Sequence, residues 1–182
     1  GWHPSGMGER CDRQSILKMY GYRGDPISQK LSRIFDVGKA IEKIWQADFK
    51  KMGLLMSANV RVPYPGPPEI NGEYDAMLRH ATEPGKRILV EIKSINGEGF
   101  KALPPLTLDP GINYTGLMNS QGFIGNRVRG YMLQLQLYMH VTGVHDGILL
   151  FDCKNDQNYN DYHLLYSSEL VEEQLARLLR LE

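Results

Sequence analysis

Apolar residues recur every three or four positions over 30–52, where Ile34, Ile41, Trp45, Phe49 and Met52 line one stripe together with Gly38. That period predicts an amphipathic helix. A glycine inside a helix costs about 1 kcal/mol relative to alanine, and the close approach of another backbone would be a sufficient reason to tolerate Gly38. The period then drops to two. Segments 58–63, 74–78 and 88–93 read as strands. Between the first two, Tyr64-Pro65-Gly66-Pro67-Pro68 forces a turn or an extended crossing. Between the last two, Pro84-Gly85 marks a turn. The 94–117 stretch carries four glycines and three prolines with little periodicity. It is expected as a long loop, either a substrate guide or lid or a segment disordered without ligand.

A second long helix falls within 119–141 and starts near 123–126. Its apolar face is Val128, Tyr131, Met132, Leu135, Tyr138 and Met139. A buried strand over 147–152, a polar turn over 154–161 and a strand over 162–166 follow. Ser167-Ser168-Glu169 opens a terminal amphipathic helix bearing Leu170, Leu175, Leu178 and Leu179. At the other end, 1–8 is irregular, with Ser5 at the start of a short helix, and 11–20 is helical until the glycines and proline of 21–26.

Alternation in 88–93 turns Ile88, Val90 and Ile92 to one side and leaves Glu91 and Lys93 together on the other. An antiparallel hairpin closing near Glu83 sets Asp75 opposite Glu91. Two acids and an amine then converge. Carboxylates and a backbone carbonyl are hard oxygen donors that suit magnesium or manganese, and such an ion polarises a phosphate oxygen. The alternative is a surface strand whose Glu91 and Lys93 form an ion pair of little energetic weight. Glu42, at the edge of the first stripe, either joins these acids or is a rim residue paired with one of Lys39, Lys43, Lys50 and Lys51. Gln134 and Tyr138, four apart, project from one side of their helix. They either serve a site or cap a strand and fill the core. Arg13, Arg127 and Arg129, near helix starts, are candidate phosphate contacts or solvated cations.

The 182 residues suit one domain with a substantial core. Lysine plus arginine and aspartate plus glutamate each number 21, so a polyanionic partner needs a local basic groove rather than bulk charge. Cys11 and Cys153 form neither a disulfide framework nor a zinc pattern, which points to a reducing compartment. No signal peptide is visible and no apolar run reaches membrane-spanning length, so a cytoplasmic protein is expected.

In order, the pieces are a helix with Glu42, a hairpin with Asp75 and Glu91-Ile92-Lys93, and a helix with Gln134 and Tyr138. This resembles the PD-(D/E)XK nuclease superfamily, and within it the RecB-like exonucleases of recombination enzymes and bacteriophages. Gly38-Lys39-Ala40-Ile41-Glu42 is similar to the first-helix motif, Gly72-Glu73-Tyr74-Asp75 to G-x-x-D, Glu91-Ile92-Lys93 to E-x-K and Gln134 through Tyr138 to Q-x-x-x-Y. Ser5 with Cys11-Asp12-Arg13 is similar to the amino-terminal segment of phage and CRISPR-associated relatives. The resemblance implies an α/β fold with a central mixed sheet flanked by helices. It implies a magnesium or manganese ion on Glu42, Asp75, Glu91 and the carbonyl of Ile92, with Lys93 catalytic. Gln134, Tyr138, Arg13, Ser5 and Arg127 would meet the substrate or support the site. Several relatives hold an iron–sulfur cluster on four cysteines; with two, this chain is expected to carry none. The activity implied is a DNA exonuclease of phage or bacterial recombination or repair, acting in a bacterial or infected host cell, alone, as a homo-oligomer or with a recombination partner. A sequence-specific endonuclease and a non-catalytic module that binds DNA or protein are the alternatives.

Overall fold

The long helix begins where Ser28, in extended geometry, accepts the amide of Leu31 at 3.2 Å and releases the chain into α2 (Gln29–Lys51), after a shorter α1 (Asp12–Met19). These elements belong to a computed structural model that describes residues 2–6, 11–22, 24–64 and 66–181, with Phe123 described in its backbone only. Residues 7–10, Arg23, Pro65 of the crossing and the two terminal residues lie outside them. After α2, a left-handed Gly53 turns the chain into β1 (Leu55–Tyr64), β2 (Ile70–Arg79) and β3 (Arg87–Ile95), an antiparallel meander. The hairpin closes as the Pro-Gly signal predicts. Lys86 N–H donates to the Glu83 carbonyl at 3.2 Å, and Gly85 takes a φ of 84° that a side chain would resist.

The 94–117 stretch is not a bare loop. It folds α3 (Gly97–Lys101), capped by Asn96, and α4 (Pro110–Met118), capped by Asp109 with proline in its first turn. Single caps on short helices leave little periodicity to read. Buried Asn113 fastens this segment: it accepts from Thr107 N–H at 3.0 Å and donates to the carbonyls of Thr107 and His163. Then come α5 (Gly122–Thr142), β4 (Asp146–Cys153), β5 (Tyr159–Leu165) and α6 (Ser168–Leu179).

The five strands form one mixed sheet in sequence order, with β4 parallel to β3 and every other pair antiparallel. The strand carrying Glu91 and Lys93 is therefore the middle one, which rules out the surface-strand alternative. Helices cover both faces. On one, α2 presses Phe49 against Ala76, Leu78, Val90, Ile92 and Leu150, and Trp45 Nε1 donates to Asp152 Oδ2 at 2.9 Å. On the other, Val128, Met132, Leu135 and Met139 of α5 pack on Leu89, Leu149 and Phe151. A buried leucine or phenylalanine in such a layer is worth about 1.5–3 kcal/mol. Gly147 lets α5 come this close, because a Cβ there would lie 2.8 Å from Met139 Sδ.

The apolar stripe of α2 is buried only in part. Ile41 and Phe49 are covered, whereas Ile34 is 42% and Met52, just past the helix, 64% exposed. Gly38 meets a side chain and not a backbone: its Cβ would stand 3.3 Å from Ser94 Oγ. On α6 the buried face is Val171, Gln174 and Leu178, with Leu179 outside it. Among the described residues no helix is long and apolar enough to cross a membrane.

Candidate active site

The hairpin ladder runs from Arg79↔Arg87 to Ala76↔Val90 and stops. Beyond that point β2 and β3 part, and Asp75 Oδ2 takes the amide of Ile92 at 2.7 Å. A side chain thus completes the sheet at the mouth of a fork. Continuing the register sets Asp75 across from Glu91, as the hairpin reading expects. Glu91 is wholly buried. Its Oε1 receives Lys93 Nζ at 2.5 Å, while Oε2 is buried without a partner among the described residues. The Lys93 ammonium also sits 5.0 Å from the centre of the Tyr131 ring, within reach of its negative face.

Glu42 reaches the fork from α2. Asn59 Nδ2 donates to its Oε1 at 2.6 Å, and Gln46 Nε2 lies 3.0 Å from the same oxygen. Gln46 also approaches the Asp75 carbonyl and Asn59 Oδ1, each at 2.9 Å, so three acceptors share its two protons. Sequence reasoning missed both residues. The i, i+4 spacing of Glu42 and Gln46 was a signal for the first. For Asn59, the structure shows a φ of 52°, a conformation asparagine tolerates better than most residues.

Electrostatics confirm the crowding. Burial first, then the Glu91 charge and more weakly that of Glu42, push the Asp75 carboxyl up to about 8, against the opposing effects of Lys93 and the Ile92 amide. Burial raises Glu91 as well, with Lys93 opposing and Glu42 adding to the rise. Burial works to depress Lys93, but Glu91 and Asp75 outweigh it and hold the ammonium above its usual range.

Gln134 and Tyr138 arrive from α5. Tyr138 Oη accepts the Glu73 amide at 3.2 Å and lies 3.4 Å from Gln134 Nε2, while Gln134 Oε1 is buried without a partner among the described residues. Burial, followed by the nearby Glu91 charge, pushes the Tyr138 hydroxyl up to about 12. The ring explains Gly72: a Cβ there would come within 2.8 Å of Tyr138 and 2.5 Å of Pro4. The same contact brings the Pro4–Gly6 turn, with exposed Ser5, to the edge of the fork. Tyr138→Phe leaves the Glu73 amide without its acceptor and should cost about 1–2 kcal/mol. Thermal melting should register this as a fall of about 2–4 °C per kcal/mol in a chain this long.

The arginines fare differently. Arg13 and Arg127 are exposed on α1 and α5, and α1 is fastened through Asp12 to Arg177 of α6 at 2.7 Å. Arg129 is not a free phosphate contact; it binds the carbonyls of Met118 and Ser120, each at 3.1 Å, and Asn126 Oδ1 at 2.7 Å. Cys11 is exposed at the start of α1, and Cys153 is buried at the end of β4.

A mixed five-stranded sheet between helices, with acids and a lysine at a fork of its central strands, is the PD-(D/E)XK nuclease-like fold. Solved structures of two exonucleases share it. The alkaline exonuclease LHK-Exo of Laribacter hongkongensis, in complex with dAMP, is 14% identical with a TM-score of 0.63 over 99% of this chain and 85% of that one. A second structure of that enzyme gives 13% identity and a TM-score of 0.57 over 98% of this chain and 85% of that one. A phage-related exonuclease from Haemophilus somnus gives 13% and 0.55 over 99% of this chain and 92% of that one. No protein-family model matches the sequence, and comparison with curated proteins finds no match.

Proposed function

We propose that this protein is a magnesium- or manganese-dependent deoxyribonuclease, an exonuclease hydrolysing phosphodiester bonds from DNA ends. The observation that carries the reading is the buried Glu91 carboxylate, with one oxygen on Lys93 and the other unpartnered, beside Asp75 at the fork. With Glu91 and Glu42 pushing the Asp75 carboxyl up, Glu42 pushing Glu91 up and the Lys93 ammonium opposing both, the donor set is short of positive charge. Glu42, Asp75, Glu91 and the Ile92 carbonyl are the residues that would hold a divalent ion. Such an ion supplies Lewis acidity toward the phosphate. Lys93, charged and bearing three donors, steadies the negative charge that develops on phosphate oxygens as water attacks in line and the 3′-oxygen leaves. Tyr138 and Gln134 hold β2 against α5 and so fix where Asp75 stands. The fold shared with LHK-Exo, which binds dAMP, supports a nucleotide-containing substrate.

One observation favours a second reading, a nuclease-like module that does not cut. Among the described residues no group of three His, Cys, Asp or Glu side chains stands ready to hold a metal ion. Asp75 is instead turned to the Ile92 amide and Glu91 to Lys93.

End-labelled linear and covalently closed circular DNA, incubated with magnesium, manganese or chelator, separates these readings. Degradation of linear DNA alone, stopped by chelator, is the expected result. Loss of the closed circle would mean an endonuclease. Intact DNA throughout, with no heat of magnesium or manganese binding, would leave the inert module.

A further inference from the structure

The exposed face of the first turns of α2 makes a groove of about 400 Å³ with the turn after β4. Gln29, Lys30, Arg33, Ile34, Val37 and Lys154 line it. Three of the six are cations and none is an acid. Among the described residues, none of the three cations is paired with a carboxylate, in a chain whose overall charge is zero. Lys154 is placed by the sheet itself, because its amide donates to the Ile95 carbonyl at 2.8 Å, two residues beyond Lys93. The far wall is placed by the helix that carries Glu42. At the α-helical rise, Arg33 and Lys30 stand roughly 14 and 18 Å along the axis from Glu42. One stacked strand of DNA advances about 3.4 Å per nucleotide, so the groove lies about four to five nucleotides from the fork.

We infer that this groove is a binding site for the phosphate backbone of a DNA strand, several nucleotides away from the bond to be cut. Lys30, Arg33 and Lys154 meet phosphates, and Ile34 and Val37 give sugars and base edges an apolar floor. This explains why large apolar residues at the free end of α2 stay uncovered. It rests on the deoxyribonuclease reading, since the fork defines which strand the groove would receive.

The test is a triple variant, Lys30→Ala with Arg33→Ala and Lys154→Ala, assayed on linear DNA of increasing length over a salt series. All three lie at the surface, so its melting temperature should stay near that of the wild type. On DNA long enough to reach the groove, KM should rise about tenfold or more, and the salt slope of binding should fall by about 2, near 0.7 per lost single-strand phosphate contact. The loss should grow with substrate length, with kcat little changed. An unaltered KM and salt slope, or a loss of equal size on oligonucleotides too short to leave the fork, would overturn the inference while leaving the nuclease reading intact. So would a wild-type dimer that Ile34→Glu dissociates without weakening DNA binding, because a second copy would then own the face. A wild type that cuts no DNA of any length would instead remove the reading on which the groove depends.

Discussion

Replacing Glu91 by glutamine should lower metal-dependent cleavage of linear DNA by about a thousandfold or more, the scale seen when one preorganised charge is removed from a reacting centre. The side chain keeps its volume, so the layer between Leu89 and α5 stays filled. What changes is charge. The neutral amide no longer balances Lys93 and no longer presents an unpartnered anionic oxygen to a cation. The fold should survive, because breaking this pair leaves Lys93 only partly buried, with a side-chain exposure of 20% through which water can reach it. Single-turnover cleavage and magnesium calorimetry on the same preparation check the two halves together. Wild-type cleavage by the variant would dismiss the metal-dependent assignment for this fork.

The largest loss of stability should come from Gly125→Ala. A Cβ at Gly125 would fall 2.0 Å from the Ser120 carbonyl oxygen, and a backbone atom cannot swing aside as a side chain can. The first turn of α5 would have to lift. That movement would also pull on Arg129, which holds the Ser120 and Met118 carbonyls and so joins α4 to α5. Overpacking of this kind costs about 3 kcal/mol or more. In a chain of this length that is a fall of about 6–12 °C in melting temperature. A melting curve superimposed on the wild type would show that the corner is looser than its contacts imply.

Local signals carried the sheet further than the helices. Pro84-Gly85 with alternation on either side fixed the hairpin register, and that register alone brings Asp75 to Glu91. Periodicity on α2 identified an apolar face but not its cover: Ile41 and Phe49 are buried, whereas Ile34 and Met52 stay exposed. No property of those residues distinguishes the two cases. It depends on what packs over each of them. Asn59 was hidden for a related reason, since its bond to Glu42 joins the outermost strand of the β1–β3 meander to a helix, whereas Gln46 sits one turn from Glu42 on α2 and its spacing could have been read. The turn chemistry of Asn96 and Asp109 was present in the sequence, but glycines and prolines around it masked two short helices as irregular chain.

The parallel pairing of β3 with β4 governs when the protein can become active during its synthesis. β3 leaves the ribosome about fifty residues before the strand it must lie beside, an interval of roughly 3–10 s at ordinary translation speeds. Until then Glu91 and Lys93 sit on an unpartnered edge without the α5 layer that buries them. A nascent chain is thereby unarmed: whatever this fork does to a polymer, it can do only once β4 has also been made.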